Sequence, residues 1–417
     1  MTAIRRLFSE GFRVFFLLAA VAAILPMILW EVYLAVHAAG GMVSALPFAQ
    51  APHLWHAHEM IFGYVGAAIA GFLLTAAPNW TGERGPRPAF LVVLAGVWLA
   101  GRAAMWVSAS LPAGLVAVAD LAFLPLLAAN LAGMILRRPK ARQAIFLALL
   151  ALLWCADLMT HLEWAGWTAD TVWSGLRMGL FTLVALIVIL GGRVTPGFTR
   201  NAMVQSGRAE GLPTDRLPVA GAAIAAALSL PLAVALPLPD PVAPALAIAA
   251  GTAALLRLAG WRGGWTARRP ILWTLHLGYA MAGVGLVAWG LAGLGVGSEV
   301  AALHVIGIGA VGGMTIAVMS RATLGHSGRP LVAPTGLVAA YALVPAAAAL
   351  RWAGSAWPDL YYPCVLGAGA LWILAFTAYL AALWPAFWGE RAPRAPLPPE
   401  AETRARARLA ALEEARP

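Results

Sequence analysis

The sequence predicts an all-α, polytopic membrane protein with about twelve transmembrane helices. Three observations predict it. Of 417 residues, 61% are hydrophobic and only 11% are charged, where a soluble domain carries about 25% charged residues. The mean hydropathy is +0.80. The apolar residues fall into runs long enough to cross a bilayer, with short basic clusters between them. The net charge of +10 therefore reads as membrane topology rather than nucleic-acid binding.

A span needs roughly 20 mostly apolar residues, and each must be helical because lipid offers the backbone no partners. The first span, 12–37, follows the basic start MTAIRRLFSEGFR. It is too long for a signal-peptide core and ends on no clear cleavage site. The second, 55–77, opens on HLWHAHEMIFGY. The third and fourth, 89–108 and 113–136, carry Arg102, Asp120 and Asn130. Arg102 and Asp120 sit in neighbouring spans and suit an intramembrane ion pair. The fifth, 143–164, holds Asp157 and His161. The sixth is 174–192, and LPLPDPVAP joins the seventh and eighth, 217–236 and 242–260. LGVGSEV joins the ninth and tenth, 271–294 and 299–320, and GSAWPDLYY joins the eleventh and twelfth, 331–353 and 361–386. No internal repeat stands out. Cys155 and Cys364 form no CxxC pair and read as buried small hydrophobes.

Charge sets the orientation. Arg5, Arg6 and Arg13, then Arg84 and Arg87, RRPKAR (137–142), Arg193 to Arg216, Arg257 to Arg269, and Arg321 with Arg329 all fall on one side. The alternate loops are nearly free of Lys and Arg, which supports an even span count with both termini cytoplasmic. Residues 1–390 read as one transmembrane domain. Residues 391–417 read as a Pro/Arg/Glu-rich cytoplasmic tail, solvated rather than folded.

Topology also sorts the eight histidines. His56, His58, His161 and His304 share one membrane depth, at the outer ends of the second, fifth and tenth spans. Four at a common depth from three spans point to a metal or heme site. Pro52 suits a first helical position. On a helix running from it, His53, His56 and Met60 share a face, and His58 points nearly the opposite way. A face of histidine and thioether suits copper, especially Cu(I), and His58 is free for a separate role such as axial heme ligation. Glu59 suits a carboxylate that orients a ligating histidine or carries protons. At the basic end, His276, Arg321 and His326 mark an inner-side group. On the residues alone, Arg321 is a positive-inside anchor. Gly307, Gly309, Gly312 and Gly313 allow close approach of a helix or flat cofactor along the tenth span.

The stretches LWHAHEMIFGYVGAAIAGFLLTAAPNWTG, LWTLHLGYAMAGVGL and ALHVIGIGAVGGMTIAVMSRATLGHSGRPL resemble the NnrS family of bacterial membrane proteins. The resemblance covers nearly the whole chain before Arg391; EGFRVFF stands where a form like PFRPFF is expected. It implies a multi-pass inner-membrane protein containing heme and copper, with a role in the response to nitric oxide and nitrosative stress, often alongside denitrification. Without a CxxCH motif the heme is expected to be non-covalent, b-type. On this reading His58 and His304 ligate heme, and His56 and His161 hold copper with His53 and Met60 nearby. Glu59 orients a ligand or delivers protons. His276, Arg321 and His326 contact a second cofactor, a heme propionate or a quinol electron donor. Heme–copper oxidases offer a looser analogy, with heme-ligating histidines on their second and tenth helices. Reduction of two NO to N2O, consuming two electrons and two protons, is the leading activity. Two other classes stay open: a metal or small-solute transporter working by alternating access, and an NO-binding sensor or partner protein without turnover.

Overall fold

The computed structural model describes residues 2–137 and 141–393, so most of the tail from Arg391 and part of the RRPKAR linker lie outside the described residues. Among the described residues, twelve helices are long and apolar enough to cross a membrane. They are α1 (Gly11–Ala38), α2 (Pro52–Thr81), α3 (Pro88–Trp106), α4 (Ala113–Arg137), α5 (Gln143–Trp164) and α6 (Thr171–Gln205). The series continues with α7 (Leu217–Ala235), α8 (Val242–Ala259), α9 (Pro270–Gly293), α10 (Glu299–His326), α11 (Thr335–Ala356) and α12 (Pro358–Trp388).

Successive helices pack side by side, and α12 returns against α1 to close a ring. Within it α2, α6 and α10 are the most enclosed. They press inward and touch one another, so every fourth helix is central. A period of four helices is a property of packing, and no internal sequence repeat announced it.

The three central helices share a second feature. Each contains a stretch of wider i→i+5 turns: Glu59–Tyr64 in α2, Ile187–Gly191 in α6 and Val305–Gly312 in α10. Such turns disturb the regular ladder and often accompany functional sites. In lipid any freed carbonyl needs another donor. Side chains supply one each time. The Trp98 indole donates to the Gly63 carbonyl at 3.1 Å. Arg257 donates to the carbonyls of Val188 at 3.0 Å and Gly192 at 3.2 Å. The Thr315 hydroxyl reaches the carbonyls of Val311 and Gly312, at 2.8 and 3.0 Å. The break in α4 at Ala122 follows the same logic. Pro125 has no N–H for the Leu121 carbonyl, and the Trp154 indole donates to it instead, at 3.0 Å.

Both ends of the bundle lie on one face. Arg13, almost fully buried, donates to the carbonyls of Ala386, Phe387 and Gly389 at the end of α12. Arg6 bonds the Trp388 carbonyl and Glu390. Cations at unsatisfied C-terminal carbonyls are favourable, so these arginines tie the ring shut rather than only marking a membrane side. Large apolar side chains such as Val93, Val118, Leu256 and Leu374 face outward, as a lipid-facing surface requires. Cys364 is buried, but Cys155 is exposed on the outside of the bundle. That corrects its reading as a core residue: an apolar span has a lipid-facing side, and hydrophobicity does not distinguish it from the core.

Candidate metal and cofactor sites

The HLWHAHEM stretch begins α2 with Pro52 in its first turn. His53, His56 and Met60 line one cavity, while His58 turns the other way and is fully buried. There His58 meets α4 and α5. Its Nε2 lies 2.9 Å from Asp157 Oδ1 and 3.3 Å from Asp120 Oδ2. His161 Nε2 lies 3.0 Å from Asp120 Oδ2 and 3.7 Å from Asp157 Oδ1. These four side chains bring one ligand atom each to within 4.8 Å of one another, and all four are buried. On the far side of its imidazole, His58 Nδ1 lies 3.4 Å from Glu59 Oε1. Arg102 from α3 pairs with both Glu59 and Asp120. Trp164 and Phe62 wall the group, their rings 5.1 and 5.0 Å from the His58 ring.

The cavity lies on the opposite side of α2, among α1, α2, α6, α10, α11 and α12. It measures about 380 Å³ and is mostly apolar, within the range of small-molecule and cofactor sites. His56 enters from α2 and His304 from α10. The His304 Nδ1–H donates to the Val300 carbonyl at 2.7 Å, which leaves Nε2 as a bare nitrogen donor. His56 stacks on Trp30 with centroids 5.0 Å apart, and its buried Nδ1 has no partner. Glu31 and Arg351 also reach the cavity. One oxygen of Glu31 is buried without a partner, and Arg351 donates to Ser355 at 2.6 Å.

Toward the face with the chain ends lies a wider recess of about 980 Å³. Arg321 and His326 line it, with Arg193, Phe72 and Phe198. Arg321 sits over the Phe198 ring, 4.0 Å from its centroid. His276 does not line this recess. Its Nε2 hydrogen-bonds the Thr199 hydroxyl at 2.9 Å, and it packs near Trp261.

The structure thus partners the histidines differently from the sequence expectation. His58 meets His161 instead of His304, and His56 shares its cavity with His304 instead of His161. His276 is separate from Arg321 and His326. Helical spacing separates His56 from His58 but is silent on which side of α2 faces α5 and which faces α10; the rotation of α2 in the bundle decides that. Asp120, Asp157 and Arg102 enter the site beyond the residues expected there. Asp157 and His161 lie four residues apart in the sequence, so one helix face carries both, and that spacing was the available signal.

The donor sets sort by chemistry. The cavity, with apolar and aromatic walls, two histidine nitrogens and a cation, fits a heme and its carboxylates. The His58 group offers two nitrogens and two carboxylate oxygens without sulfur, a set for a hard or borderline ion rather than Cu(I). The histidine and thioether donors that suit Cu(I) are on the cavity wall, at His53, His56 and Met60. A family model described as NnrS protein matches residues 6–391. No curated protein matches the chain.

Proposed function

The chain belongs to the NnrS family, and from that premise we propose a membrane protein that handles nitric oxide at a heme in the central cavity. The observation that carries the proposal is the convergence of His56 and His304 on one apolar cavity between α2 and α10. These two imidazoles would supply the nitrogen donors for the heme iron, one of them giving way when NO binds, and Arg351 the counter-charge for a heme carboxylate. Bound heme supplies an iron that takes up NO. His53 and Met60, on the same wall, offer soft donors to copper. The membrane is the bacterial cytoplasmic membrane, with the basic face and both termini inside.

Reduction of two NO to N2O and water consumes two electrons and two protons. The Glu31 carboxyl faces the cavity with an unpartnered oxygen, placed to hold a proton beside the reacting molecules. Tyr64 forms part of the cavity lining and hydrogen-bonds Thr315 of α10. The apolar walls admit NO and exclude bulk water. The recess with Arg321, His326 and Phe198 suits an amphipathic electron donor such as a quinol.

The test is an optical spectrum and metal analysis of the purified protein, repeated after anaerobic addition of NO. The wild type is expected to show a heme Soret band that shifts with NO. His56→Ala and His304→Ala should each lose most of that band, while His276→Ala should keep it. A colourless wild-type protein, or a full Soret band in both cavity variants, refutes the assignment.

A further inference from the structure

We propose that His58, Asp120, Asp157 and His161 form a second, separate metal site, one that takes a hard or borderline divalent ion in tetrahedral N2O2 coordination. The four histidine–carboxylate edges measure 2.9, 3.0, 3.3 and 3.7 Å. A tetrahedral ion with bonds of about 2.0–2.1 Å sets its donors about 3.3–3.4 Å apart. These four edges bracket that spacing, and the four donor atoms, one from each residue, all lie within 4.8 Å of one another.

Charge supports the same conclusion. Glu59, Asp120 and Asp157 are all buried inside the helix ring, and Arg102 is the one fixed cation that pairs with them among the described residues. With neutral histidines the group carries a net charge of −2, which one divalent ion cancels. Uncompensated charge at membrane depth is costly. Glu59 Oε1 stands 3.4 Å from His58 Nδ1, on the side of the imidazole away from the group, the usual place of a carboxylate behind a metal-bound histidine. A bound ion would take the place of the proton that His58 Nε2 shares with Asp157 Oδ1 at 2.9 Å. Arg102 holds Glu59 and Asp120 in position and acts through them.

Zinc meets these terms best; Mn2+ favours octahedral oxygen ligation, Cu2+ a tetragonal set and Cu(I) sulfur. The site is on the other side of α2 from the cavity, so the two can be loaded and lost independently.

The experiment uses the full chain in detergent, stripped with a chelator and then dialysed against Zn2+, with metal analysis and the Soret band read on the same sample. We expect one tightly bound Zn2+ per chain and a higher unfolding temperature on binding. Asp157→Asn and His161→Ala should lose that ion and the thermal shift while keeping the Soret band of wild type. Glu59→Gln, which removes no ligand, should weaken Zn2+ by about 10–100-fold, and it serves if the ligand variants fail to fold. Folded wild type that takes up neither Zn2+, Mn2+ nor Cu2+ here, or equal uptake by Glu59→Gln and Asp157→Asn, overturns the proposal and leaves a network of protonated histidines and carboxylates. A missing Soret band with intact Zn2+ uptake would instead count against the heme reading alone.

Discussion

Replacing Arg102 by leucine should be among the most damaging single changes in this protein. Arg102 reaches from α3 to Glu59 on α2 and Asp120 on α4. Its side chain is 14% exposed, and those of its two partners are 5% and 3% exposed, so solvent screens the pairs weakly. Removing one partner of a buried pair costs about 3–5 kcal/mol, because the other charge stays buried without compensation. Here one substitution strands two carboxylates, which argues for the upper end, about 5 kcal/mol. Arg102→Lys keeps the charge, but a single ammonium cannot fork between two carboxylates as a guanidinium does; we expect roughly half the loss. The triple variant Arg102→Gln, Glu59→Gln, Asp120→Asn removes the stranded charges and should regain most of the stability. The assay is reversible SDS unfolding in mixed micelles, with the folded fraction read by size exclusion. Arg102→Leu within about 0.5 kcal/mol of wild type, or a triple variant no better than Arg102→Leu, would refute the reasoning.

Three further expectations concern the central helices. Arg257→Met should cost about 3 kcal/mol or more, since the guanidinium serves the Val188 and Gly192 carbonyls, Tyr279 and Asp215 together. The same unfolding assay should find Gly192→Ala damaging too, because a Cβ there would lie 2.5–2.8 Å from that guanidinium. Gly71→Ala should destabilise by about 1–3 kcal/mol through overpacking, as its Cβ would lie 2.5 and 2.6 Å from atoms of the Phe16 ring; pairing it with Phe16→Leu should restore thermal stability.

Much of the fold was legible because a bilayer makes simple demands. Twelve apolar stretches of sufficient length had to be helices, and twelve such helices occur among the described residues. Arg102 and Asp120, expected to pair from neighbouring spans, do pair. The wider turns in α2, α6 and α10 were not legible. They depend on whether Trp98, Arg257 or Thr315 arrives to serve a displaced carbonyl, and Trp98 and Arg257 come from other helices. The site was legible by halves. Helical spacing placed His53, His56 and Met60 on one face and His58 on another, and all three of that first set line the cavity.

The sequence alone therefore determined the class, the number of spans, the family resemblance and the separation of the HAHEM histidines into two faces. These follow from length, hydropathy and helical period, which are local properties of the chain. Only the tertiary structure decided the partnerships: His58 with His161, Asp120 and Asp157, and His56 with His304. Each is set by the rotation of one helix against others far away in sequence. A turn of half a helix face would exchange the partners without altering any local signal.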